Sequence, residues 1–415
     1  MKILTVNRNY FVTGGPEKYM FSLMENMPRH EFIPFCVRFE KNLPTPYQGY
    51  FIDPPAGRDR VYYDQYQLSA REKLLYARNS VYSLEAKSKL ENLIRNTRPD
   101  VALFLNAVYF SDSIIDACRR YQVPIVWRMS DFHKVCANYL LFRDGKICEE
   151  CLEKGPVMAL RHRCGGYQRS LAGAMVKVAG MWLSRYRRIY DHVDYFVTPS
   201  AFTRDKMIQG GFAAEKIVHI PTFVQADADG CSPALNPNGI LYAGRLSPEK
   251  GIEQLIEAFG ELRSQDALLT VAGDAGSTYA QKLIESVPER LRKRILFPGF
   301  QDQESMARLF KENLLFAVPS GCYENQPNVL LEGMGRGRAG LVPRMGSFME
   351  IVTDGETGRF FSPGDSRDLA EKIDLLLENP QQAGGMGMRA QGYVREHHAL
   401  STHLAALEAL FTKCR

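Results

Sequence analysis

Short β-branched or apolar runs alternate with helical patterns along this chain, and the alternation breaks once and then restarts. In the first half, Ile3 to Val6, Val101 to Leu105, Ile125 to Arg128 and Tyr195 to Thr198 read as strands. Helical patterns run between or after them: Pro16 to Met27, with Pro at the first helical position, Ser111 to Arg120, and Ala201 to Gln209 before Gly210-Gly211. Parallel strands need long crossovers, so this order predicts an α/β fold: a parallel sheet covered by helices on both faces. The run FVQADADGCSPALNPNG, 223–239, has small polar residues, Gly and Pro and no period, and reads as a linker. The alternation resumes with strands Ile240 to Ala243, Leu268 to Ala272, Ile295 to Phe297 and Leu315 to Val318. Their helices are Ile252 to Ser264, Tyr279 to Ser286, Glu304 to Phe310 and Asn328 to Met334. At 415 residues the chain is too long for one ordinary core and suits two of about 200 residues. The expectation is two doubly wound domains facing a cleft, 1–222 and 240–395, with 396–415 as a helix crossing back to the first. The stretch from about 131 to 169 is irregular and reads as an insertion.

Charge and apolar patterning narrow the partners. A net charge of +5, with no interleaved basic and aromatic run, does not point to nucleic acid. The opening MKILTVN meets Asn7, Arg8 and Asn9 at once, which reads as a buried strand rather than a signal peptide. The longest apolar stretch, Leu171 to Leu183, is interrupted by Lys177 and spans roughly 20 Å as a helix, short of a bilayer core. A cytoplasmic protein is expected. Trp182, Arg185, Arg187 and Arg188 follow that stretch, so it reads either as a membrane-surface contact or as a core helix with a solvated basic end.

The residues that carry chemistry lie mostly in the second half. Arg245 and Lys250, in AGRLSPEKG, share one loop at the carboxyl end of a strand, where ligands bind in open α/β sheets. Fixed cations there can neutralise a departing diphosphate without a metal. Glu324 and Glu332 stand eight positions apart in PSGCYENQPNVLLEGMG, one after a strand and one inside the next helix. Two carboxylates so placed can hold sugar and ribose hydroxyls. The backbone N–H groups of Asn325 and Asn328 lie near that helix's start and can face phosphate or sugar oxygens. In the first half, Gly14-Gly15 precedes a helix N-terminus, which suits close approach of an anion; a tight turn explains the pair equally well.

At these residues the chain resembles the retaining glycosyltransferases of family 4, which have the GT-B fold. GRLSPEKG matches the family's Gly-Arg-Leu-x-x-x-Lys-Gly, and its Glu-x7-Glu falls on Glu324 and Glu332. The similarity is densest from Ile240 to about Pro380 and thinner in VNRNYFVTGGPEKY and VDYFVTPS. The resemblance implies that Arg245 and Lys250 bind the donor diphosphate, Glu332 the ribose, and that Glu324 lies against the donor sugar. It implies that the Gly14-Gly15 loop approaches phosphate and acceptor, and that Gly273 and Phe300 lie near the nucleotide. Many relatives carry a His-Asp pair after the strand Ile125 to Arg128, but here Ser130 stands at the His, Asp131 matches the Asp, and His133 follows two residues on. Asp131 is therefore either the side chain that touches the sugar or a structural residue at the strand end. The implied activity is transfer of a sugar from a nucleotide diphosphate-sugar to a glycan or lipid-linked acceptor, with retention and no required cofactor, in envelope polysaccharide or glycolipid synthesis. A UDP-sugar epimerase of the same shape and a non-catalytic scaffold are the alternatives.

Cys136, Cys148, Cys151 and Cys164 fall within thirty residues, with Cys148 and Cys151 as a C-x-x-C pair. Four thiolates could hold a structural zinc that staples the insertion, with His133 and His162 as reserve ligands. Free thiols and a redox pair are the other readings. Nine cysteines, an odd number, speak against a disulfide framework.

Overall fold

The computed structural model describes residues 1–54, 57–58, 69–165, 170–224 and 233–414. The chain divides into two compact units. One comprises Met1–Leu140, Glu149–Ile220 and Leu404–Arg415; the other Leu141–Cys148 and Pro221–His403. Residues 225–232 of the expected linker lie outside the described residues, as do 166–169 of the expected insertion.

The strands of the first unit are β1 (Lys2–Val6), β2 (Glu31–Phe35), β3 (Val101–Phe104) and β4 (Ile125–Arg128). The short hairpin β5 (Phe142–Arg143) and β6 (Lys146–Ile147) falls in the second unit. The first sheet resumes with β7 (Tyr195–Thr198) and β8 (Ile217–His219). Among the described residues it has the order β2-β1-β3-β4-β7-β8, parallel throughout. The order reverses between β1 and β3, so the loop after β1 sits at a topological switch point. Sequence reading missed β2, because EFIPF contains Pro34; the strand lies at the sheet edge, where a missing N–H is tolerated.

The second sheet contains β9 (Asn236–Ala243), β10 (Leu268–Ala272), β11 (Ile295–Gly299), β12 (Asn313–Ala317), β13 (Ala339–Pro343) and β14 (Gly358–Phe361). Its order is β11-β10-β9-β12-β13-β14, the doubly wound dinucleotide-domain order, with the reversal between β9 and β12. Strand β9 begins at Asn236, so the end of the predicted linker is strand. The helix at Ile252 ends at Gly260, not Ser264. Both faces of this sheet are covered. Ile240, Leu269, Leu315 and Leu341 pack into one buried cluster with Leu255, Phe259, Leu369 and Ile373. Leu241, Phe316 and Val342 pack into the other with Leu330, Met334 and Phe348. Adjacent strand residues thus enter opposite cores, as period-two side chains require.

The C-terminal helix, Leu400–Lys413, contributes to both units, the division falling at His403/Leu404. His398 and His403 meet the carbonyls of Thr222 and Pro221 at 2.8 and 2.6 Å, which fixes the helix start to residues 221–222. From Leu404 onward it belongs to the first unit, where Glu408 meets His30 at 2.9 Å.

Candidate active site

The loops after β9 and β12, one on each side of the switch point, are joined by contacts that leave little freedom. Gly321 N–H donates to the Glu249 carbonyl at 2.9 Å. Gly251 has φ +69°, and a Cβ there would lie 1.8 Å from the Pro319 carbonyl oxygen, so only glycine permits this approach. The packing brings Lys250 Nζ to 2.6 Å from Glu324 Oε1, although 74 residues separate them. Ser320 Oγ donates to the same oxygen at 2.8 Å, and Ser347 Oγ donates to the Glu324 carbonyl at 2.8 Å. Among the described residues, Glu324 Oε2 takes no hydrogen bond.

The electrostatics follow from burial. Desolvation pushes the Glu324 carboxyl up, but the Lys250 charge and the bonds from Lys250 and Ser320 outweigh it and hold the pKa below its usual value. Desolvation pushes Lys250 down, and Glu324 more than restores it, so the ammonium is raised. Both partners stay charged. Burial, with Glu324 adding to it, pushes the neighbouring Cys322 thiol up to about 11 and keeps it neutral. Lys250 has three N–H donors, and Glu324 occupies one.

Arg245 is held differently. Its side chain is 65% exposed and meets Glu249 Oε1 at 3.2 Å, while Ser247 also donates to Glu249 at 2.8 Å. Its carbonyl accepts from the Tyr242 hydroxyl at 2.7 Å, which fixes the backbone while leaving the guanidinium reachable. Gly273 has a structural reason to be glycine: a Cβ would sit 2.3 Å from the Gly244 carbonyl. Phe300 is 78% exposed beyond the end of β11. Asn328 opens the helix Asn328–Gly335, which no side chain caps; Asn325 lies three residues earlier. Glu332 is half-buried in that helix, and its carboxylate makes no ion pair or hydrogen bond among the described residues.

In the first unit, Gly14 caps the helix Gly15–Asn26 in extended backbone, so no left-handed turn demands glycine there. Sequence reading missed what braces this loop. Glu17 is buried and accepts from Asn7 at 3.2 Å, Asn9 at 3.3 Å and Thr13 at 3.0 Å. Only Glu17's place in the first helical turn hinted at this. Asp131, after β4, is committed to His133, whose backbone N–H donates to Asp131 Oδ1 at 2.9 Å and whose Nδ1 meets the same oxygen. Burial raises the Asp131 pKa, and the His133 charge and bonds bring it below the usual value. Ser130 Oγ and His133 Nε2 are buried without partners among the described residues.

The cysteine expectation does not yield a metal site in the structure. Cys151 is buried, and its thiol is pushed far up by hydrogen bonding with Cys136, by burial and by Cys164. Cys136 Sγ donates to Asn138 Oδ1 at 2.9 Å, and Cys148 belongs to the segment grouped with the second unit. His162 is engaged by Glu150 at 3.0 Å, and His133 by Asp131. Among the described residues, no group of three or more His, Cys, Asp or Glu side chains is placed to hold a metal ion. Asp227 and Asp229 have the spacing with which many transferases hold a divalent ion, but they lie outside the described residues.

Fold and site together define a two-domain α/β protein with a half-buried ion pair and an exposed arginine at the switch point of its second sheet. Residues 232–392 match the family described as glycosyl transferases group 1. The chain is 30% identical to alpha-D-kanosaminyltransferase of Streptomyces kanamyceticus over 39% of its own length and 42% of that protein's. It is 30% identical to lipopolysaccharide 1,2-N-acetylglucosaminetransferase of Salmonella typhimurium over 42% and 48%. The chain thus spans less than half the length of these curated relatives. The solved structure of Anabaena Alr3699/HepE in complex with UDP aligns over 99% of this chain and 100% of that one, at TM-score 0.68 and 17% identity. Sucrose-phosphate synthase from Thermosynechococcus elongatus aligns over 99% and 98%, at TM-score 0.71 and 17% identity. The fold is GT-B, as expected from the sequence.

Proposed function

We propose that this protein is a retaining glycosyltransferase that moves a sugar from a nucleoside diphosphate-sugar to an acceptor hydroxyl. The observation that carries this reading is the Lys250–Glu324 pair at the β9/β12 switch point, with Arg245 reachable on the same loop and Glu332 unpaired in the adjacent helix. Lys250 keeps Glu324 with one donor and offers the others to the diphosphate; Arg245 exchanges an exposed contact with Glu249 for phosphate oxygens at little desolvation cost. Glu324, fixed through Oε1, presents Oε2 to a sugar hydroxyl, and Glu332 accepts from the ribose. The acceptor oxygen bonds to the anomeric carbon on the face from which phosphate departs. The carbon–phosphate oxygen bond breaks, and the departing phosphate takes the acceptor proton. Positive charge placed beforehand where negative charge develops is the main catalytic contribution.

Relatedness to the two transferases supports transfer over epimerisation, and the intact charged set argues against a decayed scaffold. A glycan or lipid-linked acceptor in envelope synthesis fits the lipopolysaccharide relative. No described helix is long and apolar enough to cross a membrane. The UDP-bound neighbour favours UDP as the carrier. A thermal-shift panel of UDP-, GDP-, ADP- and dTDP-sugars, paired with donor hydrolysis without acceptor, tests this. UDP-sugars should give the largest shift and slow hydrolysis; no shift and no hydrolysis with any donor would remove the assignment.

A further inference from the structure

The helix Leu171–Tyr186 packs Ala174, Val178 and Met181 inward and still carries an exposed apolar stripe. At 100° per residue, Leu171, Met175, Ala179, Trp182 and Tyr186 fall within one sector of about 80°. All five are exposed, the large ones between 49% (Leu171) and 74% (Tyr186). Polar groups of this helix face inward as well: Ser184 is buried and donates to Asp112 at 2.6 Å. Burial, with the Lys134 charge adding to it, pushes the Lys177 ammonium down against the pull of Asp131. Trp182 stacks on Tyr186 with ring centroids 5.2 Å apart, which holds both rings outward as a pair.

A second helix extends the surface. Ala70–Val81 packs against Leu171–Tyr186, and a Cβ at Gly180 would lie 3.5 Å from the Ser80 carbonyl. Its Leu74 and Leu75 are 74% and 44% exposed and share a face with exposed Arg71 and Arg78 at i, i+3, i+4 and i+7. Cations outnumber acids around the patch: Arg71, Lys73 and Arg78 are exposed on the second helix beside one acid, Glu72. From Lys154 to Tyr190 there is no Asp or Glu, and there are eight Lys or Arg. Arg187 and Arg188 are paired with Asp116 and Asp191 from outside that stretch and Lys177 faces inward, while Lys154 and Arg161 are exposed.

We infer that this two-helix face seats the protein on an anionic lipid bilayer, with Leu74, Leu75, Leu171, Met175, Trp182 and Tyr186 in the headgroup–acyl boundary. A 16-residue helix is about 24 Å long, too short to span, but it lies flat in the interface with its apolar stripe down. A second copy of the chain is a poor occupant, because symmetric pairing would bring the same acid-free stretch against itself, whereas anionic headgroups complement it. The inference rests on these helix faces and not on the donor assignment.

The test uses the full chain and vesicles of phosphatidylcholine with and without phosphatidylglycerol. The two tryptophans make emission a local probe, since Trp127 is fully buried and Trp182 is 60% exposed. Phosphatidylglycerol should raise the pelleted fraction about tenfold at low salt, blue-shift the emission, and lose its effect as salt is added. The double variant M175S/W182S should lower partitioning by at least about tenfold with unchanged thermal unfolding. L74S/L75S on the other helix should do the same, which guards against failure of one variant to fold. Equal pelleting of parent and both folded variants would overturn the inference. So would absence of pelleting by the parent, or a concentration-dependent dimer abolished by M175S/W182S.

Discussion

Gly251→Ala tests whether close approach of the β9 and β12 loops is what builds the site. The new Cβ would stand 1.8 Å from the Pro319 oxygen, whereas such contacts essentially never fall below 3.0 Å, so the loops must part by at least about 1.2 Å. That displacement stretches the Lys250–Glu324 contact from 2.6 Å to nearly 3.8 Å, beyond hydrogen-bond range. Alanine at φ +69° adds about 1–2 kcal/mol of backbone strain, and the weakened bond at a half-buried carboxylate about 1–3 kcal/mol. A combined loss of about 2–5 kcal/mol should lower the Tm of the second unit by several degrees. A misplacement of about 1 Å should also cut kcat/KM for the sugar donor on the order of a hundredfold. Differential scanning fluorimetry and donor hydrolysis read the two effects. Gly392→Ala is the control, because a Cβ at this helical position meets nothing within 4 Å and should be neutral or slightly stabilising. A Gly251→Ala protein with parental Tm and turnover would refute the reasoning.

Arg245→Ala should reduce turnover on the order of a hundredfold or more while barely changing thermal unfolding, since the side chain is largely exposed; near-normal turnover would count heavily against its role. Glu324 has a pKa held below its unfolded value, so its stabilising contribution is full above about 4.5 and is lost as pH falls through the folded pKa. Glu324→Gln should therefore flatten the loss of stability below about pH 4.5, measured by urea unfolding across pH; an unchanged acid limb would contradict the pairing. Glu17→Ala leaves Asn7, Asn9 and Thr13 without their shared acceptor and should destabilise the first unit by roughly 1–3 kcal/mol or more, seen as a lower urea midpoint.

The sequence by itself determined the parts that depend on local pattern. Alternating apolar strands and periodic helices specify two doubly wound sheets, and several elements, such as Ile125–Arg128, Tyr195–Thr198 and Leu268–Ala272, fall where the pattern puts them. The loop positions of Arg245, Lys250 and Glu324 were legible because each follows a strand's carboxyl end. The tertiary structure decided the rest, because it depends on which chain segments meet. Only strand order puts β9 beside β12, and so couples Lys250 to Glu324 across 74 residues and makes Gly251 obligatory. Ser320 and Ser347 join the site through long-range packing, with no local signal. Asp131 could be placed after β4, but only the folded loop showed it committed to His133. Cysteine spacing suggested a metal site; the fold brings Cys151 to Cys136 and near Cys164, yet among the described residues no group of three or more such side chains is placed to hold an ion. The helix Leu171–Tyr186 shows the same limit: its apolar residues are visible in the sequence, but which face looks outward is settled by what Ser184 and Lys177 meet inside.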